Sequence, residues 1–333
     1  MGTTSSFFGG GGSSAPLPHY VFTNNVSGWT PLHNGTVYVH VIGAGGNGSA
    51  DTSFNTVGAA AGYSRKLITV TTSDSYNLTV GAPSNSASGT GASSVFTNSS
   101  SITLTSVGGG LNTPGTASGG DVNYTGGNGG AGGGSASRMP GGGAVNLTGT
   151  AYNGGVAYQY ASSCFAFGGG AGIGGAGGGA YTTSNGVYAA GGGGGSGGTA
   201  TASPQYNSAQ DGYYISGGRA SIGKPYGVVG FDFIKEWGAG GGRRWSSSSG
   251  VGTGLAETVP GVGGGGAGGF GNQDNHGAGQ DGGMFGGGGG RGGNGGFGGG
   301  GGGAFNYAAS SGSVYIRGQG GPGIIFVEYV TLT

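Results

Sequence analysis

The sequence predicts an all-β protein in which a small antiparallel β-domain carries a packed bundle of polyglycine II helices, with almost no α-helix. Glycine contributes 97 of the 333 residues. The glycine tracts repeat with a period of three residues, which is neither the period of a strand nor that of an α-helix. The segments that flank the tracts are short, rich in β-branched and aromatic residues and separated by turn residues, which is typical of strands.

The β-domain is predicted over residues 36–107 and is completed by residues 313–333. Strands are predicted at residues 36–42, 63–70, 75–80, 93–97, 101–107, 313–316 and 323–330. The last of these (GIIFVEYV) is too apolar to stand alone, so we expect it to pair beside strand 36–42. Residues 1–35 are predicted to be an extended N-terminal arm. No segment has a clear 3.6-residue apolar period, and each glycine would cost an α-helix about 1 kcal/mol.

Residues 108–312 alternate glycine tracts with richer islands. A GGX repeat fits a polyproline II-type helix, which has three residues per turn, and it leaves two columns of bare backbone that let neighbouring helices approach closely. In such a helix Arg291, Asn294 and Phe297 would lie on one side. Backbone hydrogen bonds between helices, each contributing about 1 kcal/mol, would stabilise the bundle. The alternative is a flexible glycine linker.

Composition argues against several functional classes. Ten basic and ten acidic residues give no net charge, so the sequence lacks the basic surface of a nucleic-acid-binding protein. The single cysteine excludes an intrachain disulfide, and the four histidines are scattered, so no metal, cofactor or catalytic site is predicted. No run approaches the roughly 20 apolar residues of a membrane span. The start MGTTSSFFGGGG does not resemble a signal peptide, and we expect synthesis in a cytoplasm.

Two glycine motifs resemble nucleotide-binding sites without their essential partners. Residues 43–48 (GAGGNG) match GxGxxG, but a poor helix-forming segment follows, and no acidic residue lies between Asp51 and Asp74. Residues 218–224 resemble a P-loop, but Pro225 stands where the motif needs Ser or Thr for Mg²⁺. Neither motif predicts nucleotide binding.

The aromatic islands are the candidate binding sites, because a polyglycine bundle has no side-chain core in which to bury their rings. Tyr, Trp and Arg are the residue types enriched at binding hot spots. Part of each island could instead cap the helix ends as small satellite cores, and Phe231, Phe233 and Ile234 are predicted to do so. The candidate contact residues are Tyr152, Tyr158, Tyr160, Tyr213, Tyr214, Tyr226, Trp237, Arg243, Arg244 and Trp245.

Residues 36–333 resemble a known family. The segments VIGAGG (41–46), GYSRKLITV (62–70) and GQGGPGIIFVEY (318–329), together with the GGxGG tracts, are similar to the glycine-rich domain of bacteriophage tail proteins. The islands between tracts also resemble the tail-fibre tip adhesins of T-even-type phages. That resemblance implies a bundle of polyglycine II helices whose distal loops bind an outer-membrane receptor. The larger β-domain and the N-terminal arm depart from the tip adhesins.

These observations predict a non-enzymatic receptor-binding protein of a phage tail, located in the virion. Its expected partners are a host outer-surface protein or glycan, and other tail or baseplate proteins bound through the arm. Self-association as a homo-oligomer is left open. The alternatives are a structural tail or capsid decoration protein, and a cellular glycine-rich surface or ice-binding protein. The aromatic islands disfavour ice binding, because they interrupt a flat and regular face.

Overall fold

The fold is all-β. The computed structural model describes residues 17–48, 57–86, 89–98, 101–130, 140–156, 158–161, 164–166, 168–179, 181–182, 188–189, 193–198, 213–215, 221, 224–241, 243–245, 260–268, 270–271, 276–277, 279–303, 305–309 and 312–333. Within these residues the regular elements are strands, and there is no α-helix. The all-β part of the fold prediction is therefore confirmed.

The strands are numbered in chain order. The first nine are β1 (His19–Phe22), β2 (Val26–Trp29), β3 (Gly35–Ile42), β4 (Tyr63–Val70), β5 (Tyr76–Thr79), β6 (Ser94–Asn98), β7 (Thr103–Ser106), β8 (Ala117–Ser118) and β9 (Val122–Tyr124). The next ten are β10 (Tyr158–Ala161), β11 (Cys164–Ala166), β12 (Tyr181–Thr182), β13 (Tyr188–Ala189), β14 (Tyr213–Ile215), β15 (Arg243–Trp245), β16 (Phe270–Gly271), β17 (His276–Gly277), β18 (Phe305–Ala309) and β19 (Gly312–Ile316). The last is β20 (Ile324–Leu332).

Two five-stranded antiparallel sheets form the β-domain. The central sheet has the order β1-β20-β3-β4-β9, and the outer sheet has the order β2-β5-β6-β7-β8. β20 pairs antiparallel with β3, with Ile324 opposite Ile42. The prediction that the C-terminal strand pairs beside strand 36–42 is therefore confirmed. The prediction that residues 313–316 also complete the β-domain is wrong, because β19 pairs with β18 in a separate two-stranded sheet.

A first core fills the space between the two sheets. The central sheet contributes Val37, Val39 and Val327 to it, and the outer sheet contributes Leu78 and Phe96, all at most 2 % exposed. Alternate residues of a strand point to opposite faces, so the period-two pattern of these strands supplies one apolar face for each sheet.

A second core covers the opposite face of the central sheet. Ile324 and Phe326 alternate with the first-core residues along β20, and they pack against Phe231, Trp237 and other residues of the glycine-rich region. The central sheet is thus buried on both faces, which accounts for the nearly continuous apolar run of β20.

The prediction that residues 1–35 form an extended arm is wrong from residue 19 onward. β1 pairs with β20 and β2 pairs with β5, so both strands extend the sheets. Tyr20 is buried, and its ring lies 5.4 Å from that of Trp29. The polar residues between these aromatics concealed the two strands, because each has four residues and buries only part of one face. Residues 1–16 lie outside the described part.

The glycine-rich region hydrogen-bonds through its backbone. We call its described stretches the glycine segments: residues 43–48, 57–62, 107–110, 126–130, 140–146, 151–156, 168–179, 193–198, 238–241, 260–268, 279–303 and 318–323. N–H groups three residues apart donate to the same neighbouring segment, as in Gly45 to Gly321 and Gly48 to Gly318 (2.8 and 2.9 Å), Gly142 to Gly288 and Val145 to Phe285 (2.7 and 2.9 Å), and Gly300 to Gly143 and Gly303 to Pro140 (3.0 and 3.1 Å). Each segment therefore bonds to several neighbours in turn.

One detail of the glycine prediction is wrong. Arg291, Asn294 and Phe297 do not share one side of a straight segment, because Arg291 is buried, Asn294 is exposed and Phe297 is half-buried. The chain turns at Arg291, whose φ is 69°, and again at Gly298, whose φ is 70°. A stretch that the sequence presents as one tract is therefore three short antiparallel segments.

Candidate binding surface

The aromatic islands form short strand ladders between the glycine segments. β10, β11, β16 and β17 make one four-stranded sheet, and the pairs β12–β13, β14–β15 and β18–β19 make separate two-stranded ladders. The β12–β13 pair lies beside β10, β11 and β16. Strand pairing in these ladders therefore brings together aromatic islands that are far apart in the sequence.

Each of three excursions starts and ends at a hydrogen-bonded neck. Gly155, which precedes β10, donates its N–H to the carbonyl of Gly169, which follows β11, at 2.7 Å. Gln280 N–H donates to Ala267 at 2.9 Å around β16–β17. Gly318 N–H donates to Gly302 at 3.1 Å around β18–β19. The backbone of the glycine segments therefore fixes the base of each of these three excursions.

The necks lie at the end of the glycine segments that faces away from the central sheet. Residues 285–290 start at Phe285, in the second core, and end at Gly290, which donates to Gly168 at the β10–β11 neck (2.8 Å). Residues 318–323 run from the β18–β19 neck into β20. Ile173, at the other end of residues 168–173, also lies in the second core.

The β14–β15 ladder brings five of the candidate residues together. Its strands are antiparallel, with Tyr213 opposite Trp245 and Tyr214 opposite Arg244, and Arg243 is the neighbouring position, opposite Ile215. The two strands come from islands on either side of residues 224–241. Sequence reasoning selected these residue types but not their pairing.

The other candidates are dispersed. Tyr158 and Tyr160 lie on β10, in the four-stranded sheet. Tyr152 is half-buried within a glycine segment, where its carbonyl accepts a 3.5 Å hydrogen bond from Ala144. Tyr226 lies at a turn and is fully exposed, at 101 %.

The prediction that Trp237 is a contact residue is wrong, because the side chain of Trp237 is buried. Its side chain is 2 % exposed and belongs to the second core, where it cannot meet a partner. Phe231, which the sequence analysis assigned to core, is fully buried in the same cluster. In a glycine-rich region, the local sequence of an aromatic core residue does not differ from that of an aromatic contact residue. Only the fold distinguishes the two.

Stability measurements distinguish the two positions. Trp237→Phe removes part of a buried ring and is expected to lower the free energy of unfolding by about 1–2 kcal/mol. Tyr226→Ala is expected to change it by less than about 0.5 kcal/mol, as is usual for an exposed side chain. Urea unfolding of both variants tests this, and equal effects would contradict the burial difference.

A buried polar cluster lies on the face of the central sheet that bears the second core. His40 Nδ1 and Tyr63 Oη share a 2.8 Å hydrogen bond, and His40 Nε2 lies 3.8 Å from Glu328 Oε2. Glu328 accepts backbone hydrogen bonds from Phe231 at 2.5 Å and Asp232 at 2.8 Å. Sequence reasoning missed this cluster, although an acid inside the apolar run of β20 was a signal, since buried carboxylates need partners.

Burial shapes the ionisation of this cluster. It lowers the pKa of His40 below its ordinary value and outweighs the Glu328 carboxylate, which raises this pKa. Burial opposes ionisation of Glu328, but His40 and the two backbone N–H groups together hold the pKa of this carboxyl below its ordinary value. Burial raises the pKa of Tyr63 far above its usual range.

The cluster pins the loop of residues 224–237 onto the central sheet. Gly230 and Phe231 both have positive φ, 78° and 58°, and this conformation precedes the two N–H groups that Glu328 binds. A side chain at Gly230 would meet the His40 ring at 2.6 Å. This loop lies in the chain between β14 and β15, so Glu328 anchors the connection between the two strands of that ladder.

Residues 43–48 follow β3 without opening a helix. Gly46 instead donates to Ala59 at 2.9 Å, and Gly48 donates to Gly318, so the GxGxxG match belongs to a glycine segment. The P-loop-like residues 218–220 and 222–223 lie outside the described part. Among the described residues, no cluster of His, Cys, Asp and Glu is placed to hold a metal ion.

The sequence matches no protein-family model and no curated protein. In the part of the chain that the structure describes, no helix has the length and apolar character needed to cross a membrane.

Proposed function

We propose that this chain is a non-enzymatic receptor-binding protein of a bacteriophage tail, which contacts the host cell surface through its aromatic ladders. The observation that carries the proposal is the position of the necks. They lie at the end of the glycine segments that faces away from the central sheet, so the β10–β11, β16–β17 and β18–β19 excursions leave the scaffold on the side opposite the β-domain. Binding residues are commonly carried on such excursions from a rigid scaffold.

The glycine segments are proposed to be polyglycine II helices packed in a bundle. Two observations support this. Hydrogen-bond partners recur every three residues, as three residues per turn require. Neighbouring backbones also approach so closely that a Cβ at Gly45 or Gly321 would overlap a carbonyl group of the next segment. Such a bundle would be a rigid stalk that orders the ladders in advance, which lowers the entropic cost of binding.

The composition of the β14–β15 ladder fits a contact site. It combines Tyr213, Tyr214 and Trp245 with two arginines within three residue pairs. Large aromatic side chains supply contact area at low entropic cost, and arginine is common at hot spots. The resemblance to phage tail proteins implies that the partner is a host outer-surface protein or glycan. We place the protein in the virion, with the chain before β1 attached to other tail or baseplate proteins.

Cell binding by the purified full-length protein tests the function. Fluorescently labelled protein is titrated onto intact bacteria from a panel of strains, and binding to at least one strain is expected. Trp245→Ala and a Tyr213→Ala/Tyr214→Ala variant should each weaken binding by about 30-fold, which corresponds to about 2 kcal/mol. Their melting temperatures should stay close to wild type.

Leu32→Ala is the matched control, because Leu32 is 67 % exposed on the β-domain. Its cell binding should equal that of wild type. If the ladder variants fold and bind as wild type does, the contact surface lies outside the β14–β15 ladder. Absence of binding to every strain of a susceptible host would contradict receptor binding.

A further inference from the structure

Asparagine followed by glycine is a chemically reactive pair in a polypeptide. The backbone nitrogen of the glycine can attack the side-chain amide of the asparagine, because glycine has no side chain to shield it. The sequence contains six such pairs, which begin at Asn34, Asn47, Asn128, Asn153, Asn185 and Asn294. Asn185 lies outside the described residues, so the structure allows the other five pairs to be compared.

Three exposed pairs have hydrogen bonds on their reacting groups. The side-chain oxygens of Asn34, Asn153 and Asn294 each accept a backbone N–H, at 2.8, 2.9 and 2.8 Å. The glycine nitrogens that follow Asn153 and Asn294 also donate, to the carbonyls of Asn128 at 3.1 Å and Gln319 at 2.8 Å. Attack within these pairs must first break one or two of these bonds.

The pair that begins at Asn47 is protected by burial as well. Asn47 is fully buried, its Nδ2 donates to the carbonyls of Ser84 and Ser86 at 2.8 and 2.7 Å, and its Oδ1 accepts from the N–H of Gly320 at 2.9 Å. The glycine that follows it donates to a neighbouring glycine segment at 2.9 Å. Both reacting groups of this pair are therefore held.

The pair Asn128–Gly129 differs from the other four. Asn128 is exposed. Within the described residues, neither its side-chain amide nor the N–H of Gly129 has a hydrogen-bond partner. The carbonyl of Asn128 does accept the N–H of Gly154 at 3.1 Å, but the carbonyls of the other three exposed asparagines each accept one bond too. Rotation of the peptide group therefore costs the same bond in all four exposed pairs, and only Asn128–Gly129 has free reacting groups.

We propose that Asn128 is a site of spontaneous deamidation in the folded protein. This inference is independent of the function proposed above. The nitrogen of Gly129 bonds to Cγ of Asn128 and gives up its proton, and the amide group leaves as ammonia. One water then opens the cyclic imide at either of its two carbonyls, which yields aspartate or isoaspartate. The net change is hydrolysis of an amide to a carboxylate, with water as the co-reactant.

The modification is expected to disturb the contact with residues 140–146. Gly127 and Gly130 both donate to that segment, to Ala144 and Gly141, each at 2.9 Å. Isoaspartate adds one carbon to the main chain between these two donors, so both bonds cannot keep their positions. The N–H of Gly130 should exchange with solvent faster in the isoaspartate form than in Asn128→Asp, which has the new charge but a normal backbone. Equal exchange would contradict this effect.

The decisive experiment ages the full-length protein at mildly alkaline pH, well below its melting temperature, and follows each pair by peptide mass spectrometry. The same chain unfolded in guanidinium chloride supplies the intrinsic rate of each pair, and the ratio of the two rates measures protection by the fold. Each bond on a reacting group should slow attack about fivefold. Protection at Asn128 should therefore be at least about fivefold smaller than at Asn34, Asn47, Asn153 or Asn294.

Asn128→Gln is the matched control, because glutamine keeps the amide but would have to close a larger ring that forms more slowly. Its melting temperature should equal that of wild type, since the replaced side chain is exposed and unbonded, and deamidation at residue 128 should disappear. Undiminished deamidation in this peptide would place the reaction elsewhere and overturn the inference. Protection at Asn128 as large as at any of the other four pairs would overturn it as well.

Discussion

Replacing Gly321 or Gly45 by alanine is expected to lower the free energy of unfolding by about 3 kcal/mol or more. A Cβ at Gly321 would overlap the carbonyl group of Gly296, and one at Gly45 would overlap that of Gly299. Both obstacles are backbone atoms, which cannot rotate away as a side chain can. Gly45 N–H also donates to Gly321, and Gly321 N–H donates to Gly299, so relief of the overlap would strain backbone hydrogen bonds.

Gly198 and Gly179 supply matched controls in the same region. An added Cβ at Gly198 meets nothing within 4 Å, and at Gly179 the nearest atoms are those of Val156, at 3.8 Å. Alanine at either site should be neutral or should stabilise the protein by up to about 1 kcal/mol, because it reduces the entropy of the unfolded chain. Chemical denaturation of the four variants measures the contrast. Wild-type stability of Gly321→Ala and Gly45→Ala would refute close backbone packing.

Glu328→Ala is expected to cost about 3 kcal/mol of stability and to release the loop of residues 224–237. The substitution leaves the N–H groups of Phe231 and Asp232 without their acceptor, and a buried unsatisfied donor costs about 1–3 kcal/mol. Limited proteolysis should then cut this loop faster than in wild type. Because the loop connects β14 to β15, cell binding should also fall.

The same carboxyl gives stability a defined dependence on pH. The pKa of Glu328 is lower in the folded protein than its ordinary value of 4.5, so its contribution is present above pH 4.5 and is lost as the pH falls through the folded-state pKa. The pKa of buried His40 is also below its ordinary value of 6.5. As the pH falls, His40 is therefore protonated at a higher pH in the unfolded chain than in the folded protein. The free energy of unfolding declines from about pH 6.5 downward.

Melting curves between pH 7 and pH 3 test both groups. The wild-type melting temperature should fall throughout the acid range. Glu328→Gln should start lower and decline less steeply below pH 4.5. Asp121→Asn is the control, because Asp121 also accepts a backbone N–H, from Leu67 at 2.9 Å, but its side chain is 53 % exposed. It should lose less than about 1 kcal/mol. Parallel pH curves for wild type and Glu328→Gln would contradict the proposed contribution of the Glu328 carboxylate to stability.

The sequence was sufficient to predict the long strands. β3 and β4 are rich in β-branched and aromatic residues, and β20 is so apolar that it had to be internal, so its pairing with β3 followed. β1 and β2 were missed because each buries few residues, and their stability comes from ring contacts between strands, such as Tyr20 with Trp29. Such contacts have no local sequence signal.

The candidate site was predictable in residue type but not in arrangement. Tyr213 and Trp245 were selected because such residues are typical of binding surfaces, whereas their pairing depends on the path of the glycine segments. Trp237 was assigned wrongly because the second core has no sequence period. It assembles single residues such as Val145, Ile173 and Phe285, each from a different turn.

The place of β20 between β1 and β3 has a consequence for folding. Ile325 faces Phe22 on one side and Val41 on the other, although nearly the whole glycine-rich region separates it from both in sequence. During synthesis, β1 and β3 leave the ribosome long before the strand that joins them. The nascent chain must therefore hold two apolar strands apart without their common neighbour, a state prone to aggregation. The glycine-rich region that is synthesised between β3 and β20 has few apolar side chains. It therefore offers β1 and β3 few competing partners before β20 is made. Folding of the β-domain is then expected to be slow, as high contact order predicts, and to be limited by the arrival of β20.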